Sequence, residues 1–501
     1  MRLLWIAAVG ALALTPPPTR ADPPRRPNVL LIVADDLATH AVGAYGNKQV
    51  RTPNIDRLAA AGVRFENAFC NSPVCTASRQ SFLTGRYPRT VGVTQLRTAL
   101  PATENTLAKM LQKGGYATAA IGKMHFNSNL KHGFALRLDL PEYRRWLKEK
   151  GAKPLPKGVE VLPAWKPFKD PARVWLNSGY LPYGAVDEDM AGTYFAQEAV
   201  KYLHAKKGES FFLVVSFTEP HSPFHFPVEF RGRHRPEKIT VPKVGPEDDW
   251  QIPAVFRDLT EPEKQGITAA YYTSVEFLDR NVGRVLDALR ELGLEEDTLV
   301  IFLGDHGYLL GHHGRFEKHC LFIEAVRAPL IISAPRRRDP LPPRGRNTPA
   351  LVEFIDLVPT ALDYSGVPIP QTVQGLSLKP LLQGAAVNHR DQVFVEYSEN
   401  EEAMVRTQRW HLIYGTGKRE RQDGYTTGRP LPGRTVLLYD VEEDPGQTTN
   451  LAKRPEYAEV VAELTRRLAE HMRRTARQPE LVPQGDVHAV LEFCLQPRDV
   501  K

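Results

Sequence analysis

The chain has 501 residues, 42% hydrophobic and 25% charged, the balance of a soluble globular enzyme with one large core and a smaller unit. Its formal net charge is +7, with the lysines and arginines scattered rather than gathered in a run, which suits an anionic ligand and argues against a nucleic-acid tail. Four cysteines, Cys70, Cys75, Cys320 and Cys494, are too few for a disulfide-built scaffold.

The first element in chain order reads as an export signal over residues 1–21. Met1-Arg2 supplies the positive start, an apolar run follows, and Thr19-Arg20-Ala21 is a small-residue cleavage site. The run over 3–14 is shorter than the roughly 20 residues a bilayer requires, so an exported protein without stable membrane insertion is expected. Uninterrupted apolar runs over 29–33, 117–121, 211–217, 299–303 and 330–333 predict parallel strands covered on both faces. Helical patterns fall between them over 54–61, 106–113, 191–205, 268–292 and 353–364. Such alternation predicts an α/β sandwich. Residues 140–190 and 222–265 lack periodicity and read as long surface insertions beside a binding site. Beyond residue 383 the pattern changes to short strands near 392–397, 403–406, 410–414 and 436–439, then an amphipathic helix over 456–474. The expected organisation is a main unit over 27–382 and a small antiparallel sheet with one helix over 383–501.

Polar clusters follow the predicted strands: Asp35-Asp36, then Lys123-Met124-His125, Glu219-Pro220-His221 and Asp305-His306. Carboxyl ends of parallel strands share one edge of a sheet, where ligands bind, so four dispersed clusters are expected to converge. Asp35, Asp36 and Asp305 repel one another unless a cation joins them, and hard oxygen ligands favour Ca²⁺, or less well Mg²⁺, over zinc. Cys75 stands just before a helical pattern, where backbone N–H groups and the positive dipole end suit an oxyanion. Arg79 lies one turn on, placed to hold either the reacting oxygens or the acidic ligands. Lys123 and His125, two residues apart, point to one side of an extended segment and offer a point charge and a proton carrier. His221 and Lys318 complete the expected catalytic set, with His312, His313 and Arg315 as further candidate substrate contacts.

The run Ser72-Pro73-Val74-Cys75-Thr76-Ala77-Ser78-Arg79, followed by Leu83-Thr84-Gly85-Arg86, resembles the signature of the type I sulfatases. Thr52-Pro53-Asn54-Ile55-Asp56, Gly304-Asp305-His306-Gly307, the Leu309 to Gly314 run and the late Leu438-Tyr439-Asp440 match in order. His306 points to the branch that resembles iduronate 2-sulfatase. The resemblance implies an alkaline-phosphatase-like fold and conversion of Cys75 to formylglycine by a formylglycine-generating enzyme. It implies Ca²⁺ held by Asp35, Asp36, Cys75, Asp305 and His306. Arg79, Lys123, His125, His221 and Lys318 would surround the nucleophile and the sulfate. Loss of Cys75 to modification leaves three thiols and at most one disulfide, with Cys70 a structural residue.

The implied reaction is hydrolysis of a sulfate ester, and export, basic balance and long loops point to a sulfated saccharide. Two other readings stay open on the same fold: a phosphonate monoester hydrolase or phosphodiesterase, and an inactive sulfatase-like glycan-binding protein. Ala77 stands where proline is commoner, and Glu219 stands where many relatives carry lysine, a reversal of charge near the pocket.

Overall fold

The computed structural model describes residues 26–162, 176–337, 344–421 and 424–500. The predicted export signal lies outside these residues. The larger sheet contains β1 (Asn28–Ala34), β2 (Val63–Phe69), β3 (Ala117–Gly122), β4 (Leu136–Leu138), β5 (Phe211–Ser216), β6 (Thr298–Gly304), β7 (Leu330–Ser333) and β8 (Arg346–Glu353). Their spatial order is β4-β3-β5-β1-β6-β7-β2-β8. Every pairing is parallel except those of β7, which opposes both β6 and β2. The run over 330–333 was expected to be parallel. Its apolar character reports burial on both faces, and burial carries no information on direction.

β1 shows how the layers form. Val29, Leu31 and Val33 face one core, and Leu30, Ile32 and Ala34 face the other, following the two-residue period of a strand. The helices Cys75–Thr84, Leu107–Lys113 and Leu357–Ser365 cover the first face. Pro53–Ala61, Ala191–Lys206 and Glu261–Glu291 cover the second. The result is an α/β sandwich with a mostly parallel sheet. Each fully buried aliphatic side chain in it contributes roughly 1.5–3 kcal/mol.

The smaller sheet is an antiparallel meander of β9 (Gln392–Tyr397), β10 (Glu402–Thr407), β11 (Trp410–Gly415) and β12 (Thr435–Asp440). Both its faces are covered. Val393, Val395 and Tyr397 join the main core, whereas Phe394, Val405 and Leu412 pack on the helices Ala458–Thr475 and Val487–Leu495. The second of these helices corrects the expectation of one helix. Its nine residues are too few to display a clear period, yet Asp486 caps it by accepting from the His488 and Ala489 backbone N–H groups.

Other boundaries also differ from the sequence reading. Leu140–Lys150 is helical, started by an Asp139 cap, inside a stretch expected to be irregular. The long helix begins at Glu261, where Thr260 and Glu263 form a capping box. Glu353 ends β8, and the helix after it starts at Leu357. β2 and β8 were missed because charged residues, asparagine and proline interrupt their apolar runs.

Candidate active site

Register brings the site together. Ala34 pairs with Gly304, Val33 with Ser216, and Gly122 with Ser216, so four strands end level. The next residues are Asp35-Asp36, Asp305-His306, Thr218 to His221, and Lys123 to His125. The chain after β2 leads into the Cys75–Thr84 helix on the same edge. Gly122 permits the close approach of β3, because a Cβ there would lie 1.9 Å from the Ser216 carbonyl oxygen. Asp36 and His125 take left-handed backbone conformations (φ 64° and 56°), costly for residues with a side chain and concentrated at functional sites. The segment carrying Lys123 and His125 is therefore not extended as expected, although both side chains line the same cavity.

Cys75 is the first residue of its helix and is buried, with Sγ 3.2 Å from His306 Nε2. Arg79, one turn on, is equally buried. Its Nε donates to Asp305 Oδ2 at 2.8 Å, Nη1 donates to the Lys123 carbonyl at 2.6 Å and to Ser216 Oγ at 2.7 Å, and Nη2 lies 3.6 Å from Asp35 Oδ1. Of the two roles expected for Arg79, the bonds carry the carboxylate-holding one. Lys123 Nζ pairs with Asp35 Oδ2, and Lys318 Nζ with Asp36 Oδ1 at 2.5 Å. His306 Nε2 is 3.5 Å from both Asp36 Oδ1 and Asp305 Oδ1. The predicted residues Asp35, Asp36, Cys75, Asp305, His306, Arg79, Lys123 and Lys318 thus form one connected cluster.

The donor set suits a hard cation. Asp35, Cys75, Asp305 and His306 each offer one ligand atom within 4.8 Å of the others, as do Asp35, Asp36, Cys75 and His221. Asp35 Oδ1 and Asp36 Oδ2 are buried and accept no hydrogen bond. Buried carboxylate oxygens without donors are costly, and a cation would satisfy them.

Electrostatics sharpen this picture. Burial would raise Asp35, but Lys123, His221, Arg79 and Lys318 hold it well below the usual carboxylate range. Burial pushes Asp305 upward, with His306 and Arg79 offsetting only part of the effect. Burial would lower both lysines, yet Asp36 keeps Lys318 raised and Asp35 does the same for Lys123. Burial pushes the Cys75 thiol up, so an unmodified cysteine here is a neutral, unreactive group. His125 is lowered by burial and then by Lys123 and Arg79; His221 is lowered by burial and then by Lys318 and Lys123. Glu219, also buried, is raised to about 7, mainly by burial. The charge reversal seen in the sequence is thereby softened, because burial favours the neutral carboxyl.

Cys75, Lys123, His125, His221 and Lys318 line a cavity of about 1390 Å³. His313 and Arg315, expected substrate contacts, do not line it. His313 is buried, donates from Nδ1 to Asp248 Oδ1 at 2.8 Å, lies 3.5 Å from Glu324 Oε2 and stacks on Phe322. His312 pairs with the same Glu324 at 3.5 Å. Arg315 is buried against Glu317 at 2.5 Å and borders a neighbouring cavity. His313 is drawn into an ion pair by Asp248, 65 positions away, which local spacing does not reveal, whereas Arg315 is held by Glu317, two residues on. Conversely, Arg97, Arg144 and Arg419 line the catalytic cavity and have no ion-pair or hydrogen-bond partner among the described residues. Nothing in their local sequence separates them from solvated surface arginines. Ser216, which orients Arg79, was missed because it reads as the end of an apolar strand. All four cysteines are free thiols, and burial also raises Cys70, consistent with a structural role. Among the described residues, no helix is long and apolar enough to cross a membrane.

Comparison with known proteins agrees with this geometry. The sulfatase family model matches residues 27–367, and that of the N-sulphoglucosamine sulphohydrolase C-terminal region matches residues 311–474. An arylsulfatase of Clostridium perfringens is 28% identical over 471 residues, spanning 87% of this chain and 92% of that protein. Iduronate 2-sulfatase of Mus musculus is 31% identical over 394 residues, spanning 68% of this chain and 69% of that protein. A solved phosphonate monoester hydrolase from Silicibacter pomeroyi superposes with a TM-score of 0.75 at 24% identity, over 91% of this chain and 97% of that one, a likeness of fold. With the matched region covering most of the sheet and every residue of the buried cluster, the chain belongs to the sulfatase family, the sulfuric ester hydrolases.

Proposed function

We propose that the protein hydrolyses sulfate esters of a sulfated glycan, using a formylglycine formed from Cys75 beside a bound Ca²⁺. The supporting observation is the pair of donorless carboxylate oxygens, Asp35 Oδ1 and Asp36 Oδ2, beside a buried Cys75. The three carboxylates Asp35, Asp36 and Asp305 favour Ca²⁺, with the His306 imidazole the less typical ligand beside them; Mg²⁺ fits less well, because it demands near-octahedral geometry and keeps its waters. When bound, the cation would supply a positive charge for the nucleophile and a sulfuryl oxygen. The hydrated formylglycine would supply the attacking hydroxyl.

The chain's own residues support the remaining steps. Arg79, anchored by Asp305 and Ser216, keeps the acidic ligands in place and a positive charge beneath position 75. Lys123 and Lys318 stay charged across the working pH range and offset charge on the sulfuryl oxygens. His221 Nδ1 faces the Ser222 carbonyl at 2.7 Å, which orients the imidazole on the cavity wall, where it would carry the proton for the leaving alcohol. Burial, then Lys318 and Lys123, lowers its proton affinity, and a bound anionic sulfate would offset the lysines' part. Lys318 is a second candidate donor. His125, kept neutral by burial and Lys123, can take a proton from the second hydroxyl of the hydrate as sulfate leaves.

Residues 27–382 would carry this chemistry, and 383–501 would wall the cavity through Tyr397, Arg419 and Tyr425. Export through residues 1–21 and maturation by a formylglycine-generating enzyme belong to the same proposal. The mouse relative is named for a sulfated sugar, and the basic cavity suits such a substrate here. Protein produced with a maturation enzyme is to be assayed in parallel on an aryl sulfate, an aryl phosphonate and sulfated saccharides. Preferential sulfate release is expected. Preferential phosphonate cleavage would replace this reading with the phosphonate one, and glycan binding without any cleavage would leave a lectin.

A further inference from the structure

A second cavity, of about 560 Å³, adjoins the catalytic one. His319, Arg419 and Arg421 line both, so the two share a wall. The second is bordered by Trp250, which is 39% exposed, and by Gln251, Asn400 and Arg429. A partly exposed indole suits stacking on the C–H face of a sugar ring. The arginines of the second cavity are not equivalent. Arg421 is tied to Glu317 at 3.2 Å, and Arg429 to Asp249 at 2.6 Å. Arg419 is half-buried and has no ion-pair or hydrogen-bond partner among the described residues. A guanidinium withdrawn from water without a carboxylate is poised for an external anion, and its planar fork matches sulfate or carboxylate.

We propose that the two cavities form one substrate cleft, in which Arg419 grips a second anionic group while Trp250 supports a further sugar ring. The preferred substrate is then an oligosaccharide with at least two anionic sugars, one presenting its sulfate ester at Cys75 and another at the cavity junction. Arg97 and Arg144, on the wall of the first cavity, extend the same positive lining. This inference rests on the sulfate-ester reading above and narrows its substrate class.

The test compares, by calorimetry on the full-length protein, a monosulfated monosaccharide with tetrasaccharides from several sulfated polysaccharides. The best tetrasaccharide is expected to bind at least about tenfold more tightly, and R419Q to remove about tenfold of that advantage, as losing one charged anchor should. W250A is expected to remove a smaller part. Should R419Q fail to fold, as a thermal melt would reveal, W250A replaces it, since that side chain is partly solvated already. Binding independent of chain length overturns the proposal, as does a tetrasaccharide advantage left intact by the folded variant. Sulfate release from an aryl sulfate is followed in parallel. Its absence removes the hydrolase reading, whereas length-independent binding with normal aryl sulfate turnover removes only the shared cleft.

Discussion

Burial makes Cys75 a poor nucleophile as a thiol, and this has a direct consequence for the chemistry. If the reacting group is the hydrated aldehyde, peptide mass spectrometry of matured protein should find the Cys75 segment lighter by about 18 Da, the mass of H₂S less one oxygen. Cys75→Ser has a single hydroxyl and no second one to expel sulfate. It is expected to stop after one event or not react, and intact mass should reveal a trapped sulfate ester. Sustained turnover by that variant would contradict the scheme. Lys318 is the other informative residue, since Asp36, the carboxylate it donates to, is also an expected metal ligand. Lys318→Ala should lower kcat by about 10²–10³, the usual cost of losing one preorganised charge at a reacting oxyanion, and steady-state kinetics would measure it.

The Gly311 to Val326 segment illustrates how an element holds such residues. Lys318 lies on it between two anchors, the Arg315–Glu317 pair and the Asp248–His313–Glu324 triad. Burial would lower His313, but its bonds to Asp248 and Glu324 raise it to about 9. Its folded value exceeds the unfolded value of about 6.5, so its stabilisation is complete below pH 6.5 or so and is lost as pH rises through about 9. Glu324 is lowered to about 2, against the pull of burial, chiefly by His313 and His312; its contribution is present above its ordinary value and fades as pH falls through about 2. The gap in melting temperature between wild type and His313→Gln should therefore be largest near pH 6 and shrink markedly by pH 9.5. A gap unchanged at pH 10 would show that the triad does not titrate this way. His313 is a candidate substrate contact from the sequence alone. What claims it is Asp248, 65 positions away, on a segment with no readable period.

For the molecule as a whole, the two sheets share one core, so the smaller unit is not an appendage. Arg89 meets Glu396 through a bond of 2.6 Å from Nη2 and one of 2.9 Å from Nε, both side chains being buried. Glu396→Ala strands that guanidinium and should cost about 3–5 kcal/mol, read from chemical denaturation. The acidic cluster acts at the same scale, because Asp35, Asp36 and Asp305 stand at the adjacent ends of β1 and β6 at the centre of the sheet. Ca²⁺ bound only by the folded state should raise stability by mass action. EGTA is expected to lower the melting temperature by several degrees, with added Ca²⁺ restoring it, and an unchanged melt would count against the cation.

The sequence by itself determined much of this protein. Apolar runs such as that of β1 marked the central strands, because a strand covered on both faces must be apolar at every position. The polar residues after those runs marked the site, because parallel strands deliver their carboxyl ends to a common edge. Motif resemblance around Cys75 and Asp305 assigned the family. The tertiary structure alone decided the direction of β7, the presence of β2 and β8, the removal of His313 and Arg315 from the catalytic cavity, and the gathering of Arg97, Arg144 and Arg419 on its wall. The reason is physical. Local periodicity records whether a side chain is buried, whereas the identity of its partner depends on chain closures spanning many tens of residues, which leave no local trace.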